Sequence, residues 1–207
     1  MLKRTTGRLL LSLLVITGLA GTINNNSLSK SERKYAIGLM KDSYKETLRA
    51  IRDLSDEQLN YRASPEKWSV KECFYHIVAT EKGLGSMLEG VMKSPVNPEK
   101  RSDIKLTDQE FVNMIQDRSK KAQASEPLQP KNIKYPFIAD AIADFKMIRT
   151  DHIKYMKTST EDMRNHVVTM PFGSIDCYQL YLMLAAHSNR HTQQMNEVMN
   201  SPGFPAK

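Results

Sequence analysis

The chain has 207 residues, 40% of them hydrophobic and 26% charged, with a formal net charge of +7. That length and balance suit one globular domain with room for a core. Its basic residues, such as Lys100-Arg101 and Lys120-Lys121, are scattered and lack interleaved aromatics or glycine-rich loops, so composition excludes nucleic acid as a partner.

At the N-terminus, Lys3, Arg4 and Arg8 form a basic region, Leu9 to Ile16 an apolar run, and Gly18-Leu19-Ala20 a small-residue cleavage site. This pattern predicts a secretory signal over residues 1–21 and an exported protein, periplasmic or secreted. The apolar run is shorter than the ~20 residues of a membrane span, so no stable span is expected after cleavage; an uncleaved N-terminal tether is the alternative. Removing Lys3, Arg4 and Arg8 leaves 27 basic against 23 acidic residues, a charge of +4. A polar linker, residues 22–30, leads into the predicted domain, residues 31–200, and residues 201–207 form a tail.

Five helices are expected. The first runs from Ser31 to about Leu54, with Tyr35, Leu39, Met40, Tyr44, Leu48 and Ile51 at helical spacing. After a short connector from Ser55 to Pro65, Ser69 and Glu72 make a capping box for the second, which reaches about Met92 before Pro95 and Pro98. Thr107 and Glu110 cap a third, to about Gln123. A proline-rich crossover, Ser125 to Pro136, precedes the fourth, Ile138 to Thr158. Val167 to Pro171 reads as extended, Phe172-Gly173 as a turn, and Asp176 caps the fifth, which runs to about Asn200 with Leu180, Leu184, His187, His191, Met195 and Val198 on its buried stripe. With no repeats and no convincing β pattern, the fold class is all-α, a helical bundle.

Two imidazoles at i and i+4 on that apolar stripe, His187 and His191, project from one face and can converge on one metal ion. The third donor is expected from His76, inside the strongly helical stretch that follows Trp68-Ser69-Val70-Lys71-Glu72. Three neutral imidazoles leave positions open for water or substrate, the arrangement of a catalytic rather than a closed site. Zinc is the default divalent ion, and nickel, iron or manganese also suit imidazole; such an ion polarises a carbonyl and lowers the pKa of its water toward ~7. Ser188 stands where H-E-x-x-H metalloproteases carry their Glu, and no Glu-x-x-His repeats point to a di-iron bundle. No catalytic acid or base is assigned. Gln194 and Glu81 are candidates for orienting water or a ligand imidazole, though an ordinary polar role suits each better. Tyr75 and Tyr178 read as packing residues, Trp68 as a helix-entry anchor, and His152 and His166 as surface residues near helix ends.

The two cysteines, Cys73 and Cys177, compete with this site if bridged. With the three histidines at one level, the cysteines are offset axially by ~13 Å at 1.5 Å per residue, beyond the ~7 Å Cα limit of a disulfide. Free buried thiols are therefore expected, with Cys73, one turn before His76, a minor candidate for lining the site.

The start of the second helix, the long middle connection and the terminal Ala185-Ala186-His187-Ser188-Asn189-Arg190-His191-Thr192-Gln193-Gln194 helix together resemble the DinB family. The likeness spans residues 31–200. It implies a four-helix bundle with long crossover connections and one short extra helix, either the Thr107 segment or a split member, and a divalent metal held by one His of the second helix and the H-x-x-x-H pair of the last: His76, His187 and His191. It implies an enzyme acting on a small molecule, either a hydrolase or a thiol-type transferase using low-molecular-weight cytosolic thiols. The apparent signal departs from the thiol picture, because an exported enzyme does not share a compartment with those thiols, and so favours hydrolysis. The alternative is a non-catalytic extracytoplasmic bundle that binds a metal or ligand, and a third reading is a structural bundle with buried histidines. Bundles of this kind often pair through exposed apolar faces, so a homodimer is open.

Overall fold

A computed structural model describes residues 27–121 and 123–206. The signal segment expected over residues 1–21 lies outside them, as does the first part of the linker. The elements are α1 (Lys30–Ile51), α2 (Asp56–Asn60), α3 (Val70–Met92), α4 (Asp108–Gln116), α5 (Ile138–Thr158), β1 (Val167–Met170), β2 (Gly173–Asp176) and α6 (Cys177–Met199).

Helix starts follow the local chemistry. Ser29 with Glu32, Ser55 with Gln58, Ser69 with Glu72 and Thr107 with Glu110 each form a reciprocal capping box, satisfying two otherwise unpaired backbone donors per helix. Asp176 caps α6 through Gln179 N at 2.8 Å. The four long helices match the expected first, second, fourth and fifth within a few residues; the Thr107 segment, now α4, and α2, which forms in the stretch expected as a connector, are short helices beside these four.

Two local differences have clear causes. α4 ends at Gln116, short of the expected Gln123, because the Asp117 carboxylate accepts hydrogen bonds from Ser119 N and Oγ at 2.9 and 2.6 Å, closing a local turn that competes with helix. Arg190 of α6 then donates to the carbonyls of Ile115, Asp117 and Lys120, satisfying groups that a longer helix would have paired itself. The stretch after Val167 is extended as expected, but it pairs with β2 in an antiparallel hairpin with Val167 opposite Asp176 and Met170 opposite Gly173. The two-residue turn Pro171-Phe172 leads into Gly173 at φ 127, a backbone region open to glycine.

Helix directions follow from the cross-helix bonds. Tyr178 Oη donates to Glu32 O at 2.8 Å and Thr47 bonds Thr192 at 2.8 Å, so α1 and α6 are parallel. Arg33 reaches Met156 O at 2.8 Å and Arg149 reaches Met40 O at 3.0 Å, so α5 runs against α1. Val70 packs in one cluster with Met195 and Val198, and Leu84 and Leu88 in another with Leu180, so α3 runs against α6. The order is therefore up-down-down-up. α3 and α5 point the same way, which is why the connection between them must cross the length of the bundle, whereas the hairpin suffices between α5 and α6.

Those two clusters are the upper core, around Phe74, Phe145 and Met195, and the lower core, around Met40, Leu88 and Met156. A polar layer separates them. Arg149 and Glu81 are each 1% exposed; Arg149 donates to both Glu81 oxygens, to Ser43 Oγ and Ser188 Oγ at 2.8 Å each, and to the Met40 and Leu184 carbonyls. No helix among the described residues is long and apolar enough to cross a membrane.

Candidate metal centre

His76 sits two turns into α3, and His187 and His191 lie one turn apart on α6, where the antiparallel pair meets just above the polar layer. Their ligand-capable nitrogens all lie within 4.8 Å of one another. Among the described residues no fourth His, Cys, Asp or Glu joins this group. His76 Nε2 and His187 Nε2 are 3.3 Å apart, the separation two ~2.1 Å metal–nitrogen bonds would span at an angle of about 104°. The spacing and the donor set fit a divalent ion.

The proton positions fit as well. His76 Nδ1–H donates to Leu128 O at 2.8 Å and His191 Nδ1–H to Gln194 Oε1 at 2.9 Å, so both rings turn an Nε2 lone pair inward, as a ligand must. His187 is different: its Nδ1 is buried with no hydrogen-bond partner and its Nε2 meets the Nε2 of His76, so its polar contact is inside the cluster rather than with a residue behind it. Burial lowers the pKa of all three. For His187 the shift is well below the ordinary histidine value, with the charges of His191, His76 and Arg190 adding to it; for His191 burial, then His76, brings it to about 3 against the opposing Gln194 bond. For His76 burial outweighs the bond to Leu128. At neutral pH the three rings are uncharged and their lone pairs free to coordinate.

Trp68 does more than anchor the start of α3. Its ring lies 5.0 Å from that of His76 and stacks on His191 at 5.9 Å and 17°, forming one wall of the cluster. Sequence reasoning missed this because Trp68 lies far along the chain from His191. The expected crossover gave no sign that it and the segment before it bring Leu128 and Arg118 to the site; Arg118 Nη1 reaches Gln194 Oε1 at 3.4 Å.

Other expectations are corrected. Glu81 is not at the centre: it accepts from Arg149 and from Ser188 Oγ at 2.7 Å, because the turn that carries it away from His76 points it between α5 and α6. Cys73 is fully buried in the upper core, outside the cluster, and burial pushes its thiol well above the ordinary range. Cys73 and Cys177 are both free and buried, as expected. His166 is 6% exposed and His152 half-buried, not surface residues: the carbonyl of the first accepts from Cys177 N at 2.9 Å, and the ring of the second packs edge-on against Tyr181 at 5.7 Å. Neither approaches the three-histidine group.

The sequence model described as the DinB superfamily matches residues 39–195. The uncharacterized protein YuaE of Bacillus subtilis (strain 168) is 26% identical over 156 residues, which cover 74% of this chain and 90% of YuaE. In fold the chain is similar to YfiT from Bacillus subtilis, described as a probable metal-dependent hydrolase with an unusual four-helix bundle topology, at a TM-score of 0.59 and 13% identity over 86% of this chain and 92% of YfiT. The chain belongs to the DinB superfamily.

Proposed function

We propose that this DinB-superfamily chain is a divalent-metal-dependent hydrolase acting on a small molecule, with His76, His187 and His191 as the protein ligands. The observation that carries the reading is a converged set of three uncharged nitrogen donors with no fourth protein ligand among the described residues. A closed structural site would supply four. The description of YfiT as a probable metal-dependent hydrolase points the same way. Zinc suits the donor set, and nickel, iron and manganese are accommodated by the same imidazoles.

A divalent ion held there supplies Lewis acidity, which polarises a carbonyl and lowers the pKa of water toward neutrality. The chain's own residues supply the rest. Leu128 O and Gln194 aim two of the imidazoles, and Trp68 covers one side of the cluster, excluding water from it and restraining the His191 ring. The basic and apolar pattern of the N-terminal residues, read as a signal, supports an enzyme kept apart from cytosolic thiols, a reading that favours hydrolysis over S-transfer.

The test is metal content by mass spectrometry on protein purified without an affinity tag, beside a His187→Ala/His191→Ala variant. Near-stoichiometric metal in the wild type, lost in the variant, is expected, followed by chelator-sensitive turnover of ester or amide substrates. A wild type still empty after incubation with zinc, nickel and manganese would sink the proposal; stoichiometric metal without turnover would leave a binding module instead.

A further inference from the structure

We infer that Arg118 is a positioning residue that fixes which nitrogen of His191 faces the centre, acting through the side-chain amide of Gln194. The inference deepens the metal reading above and rests on it for its consequence, though not for its first readout.

The two aimed histidines are held by partners of different kinds. His76 donates to a backbone carbonyl, Leu128 O, which can only accept. His191 donates to Gln194 Oε1, one end of an amide whose other end is a donor of nearly the same shape. Turned over, that amide would present its NH2 to His191 Nδ1. The ring would then have to accept there and carry its proton on Nε2, the tautomer that cannot coordinate through the inward nitrogen.

Arg118 decides between the two arrangements. A guanidinium has five donors and no acceptor, and its Nη1 lies 3.4 Å from Gln194 Oε1. The reversed amide would set donor against donor. Arg118 is itself fixed: its Nε and Nη2 bond the two oxygens of Glu197 at 3.1 and 2.8 Å. Glu197 lies one turn beyond Gln194 on the same face of α6. The backbone either side of Arg118 is pinned by Arg190, which donates to the Asp117 and Lys120 carbonyls. A chain of contacts, Glu197 to Arg118 to Gln194 to His191, thus runs from a surface carboxylate to the inner ring, and its one link outside α6 comes from the turn after α4.

The experiment compares wild type with Arg118→Met, Gln194→Glu and Arg118→Met/Gln194→Glu. A carboxylate at 194 accepts only, so it needs no lock. Arg118 lies on the segment after α4, outside the four long helices, so its loss leaves their contacts with one another in place, as circular dichroism would verify. The first readout is the His191 tautomer from long-range 1H–15N spectra of chelator-treated, 15N-labelled protein at pH 8. Wild type and both Gln194→Glu variants are expected to carry the proton on Nδ1, and Arg118→Met to shift population toward Nε2. The second readout is zinc affinity by chelator competition, expected to weaken about tenfold in Arg118→Met and to recover in the double variant. An unchanged tautomer in Arg118→Met, or no recovery of the Nδ1 form in a folded double variant, would overturn the inference. If wild type takes up no zinc, the metal reading fails on its own and the tautomer spectra still decide the role of Arg118.

Discussion

Replacing Arg149 with methionine tests whether the polar layer between the two cores is held by a desolvated ion pair. Arg149 and Glu81 are each 1% exposed, so neither charge is solvated and each relies on the other. Methionine keeps much of the apolar stem but leaves the Glu81 carboxylate with Ser188 Oγ as its remaining side-chain donor. Breaking a buried pair from one side costs about 3–5 kcal/mol, which for a domain of this size lowers Tm by roughly 6–20 °C. The double variant Arg149→Met/Glu81→Gln removes more of the structure but no longer buries a lone charge. It should be more stable than Arg149→Met alone, a non-additivity that two independent interactions would not produce. The assay is urea unfolding with chelator present, reading midpoint and slope. A loss under about 1 kcal/mol for Arg149→Met, the range of an exposed pair, would refute the reasoning. So would single losses that simply add in the double variant.

Two further outcomes follow from the site. Trp68 is the only tryptophan of the chain, and its ring lies 5.0 and 5.9 Å from those of His76 and His191, so cobalt or nickel should quench its fluorescence and the His187→Ala/His191→Ala variant should abolish the quenching; equal quenching in both would place the ion elsewhere. Without metal, the stability of the chain should fall as pH drops below 6.5: His76, His187 and His191 have folded pKa values below the unfolded one, for His191 about 3, so in that window the unfolded chain takes up protons that the folded chain refuses. Each such histidine steepens the fall by up to about 1.4 kcal/mol per pH unit, carboxylates add to it only below about pH 4.5, and the curve should be flat between pH 7 and 8; the double variant, measured from pH 7 to 5, should show a shallower slope, and an identical one would contradict the assigned burial.

The helices were legible because their starts are written locally: a Ser or Thr followed three residues later by Glu is a complete signal, and three of the five expected helices carry a structural capping box of that kind. The three histidines were legible for a related reason, since an i, i+4 pair on an apolar stripe is a statement about one helix. What escaped depends on distant partners. α4 stops early partly because of Arg190, some seventy residues on. The buried face of α5 includes Ala141, Phe145 and Met156 together with Arg149, and in a sequence an arginine among apolar residues reads as a solvated charge until Glu81 of α3 is seen opposite it. The aim of His76 also escaped, and so did the Arg118 contact behind Gln194, because Leu128 and Arg118 lie in the proline-rich crossover and its approach, where no periodicity announces a contact.

The buried polar layer and the histidine cluster are best understood together. Above and below the layer the helices meet through Leu, Met and Phe, and apolar surfaces tolerate small shifts because their attraction has no direction. Hydrogen bonds with named partners do not tolerate them. Arg149 reaches α1 at Ser43, α3 at Glu81 and α6 at Ser188, so one side chain sets three helices of the bundle against the fourth. Ser188 is the immediate neighbour of His187, and on a helix successive residues differ by about 100° in direction; holding Ser188 toward α5 therefore holds His187 and His191 toward α3 and His76. A slip of α6 by one residue would break the Ser188, Glu81 and Arg149 contacts and turn the histidines out of reach of His76 at the same time. The arrangement ties the geometry of the candidate centre to a fully buried ion pair, which makes an apolar core with a misaligned site a costly state for this sequence.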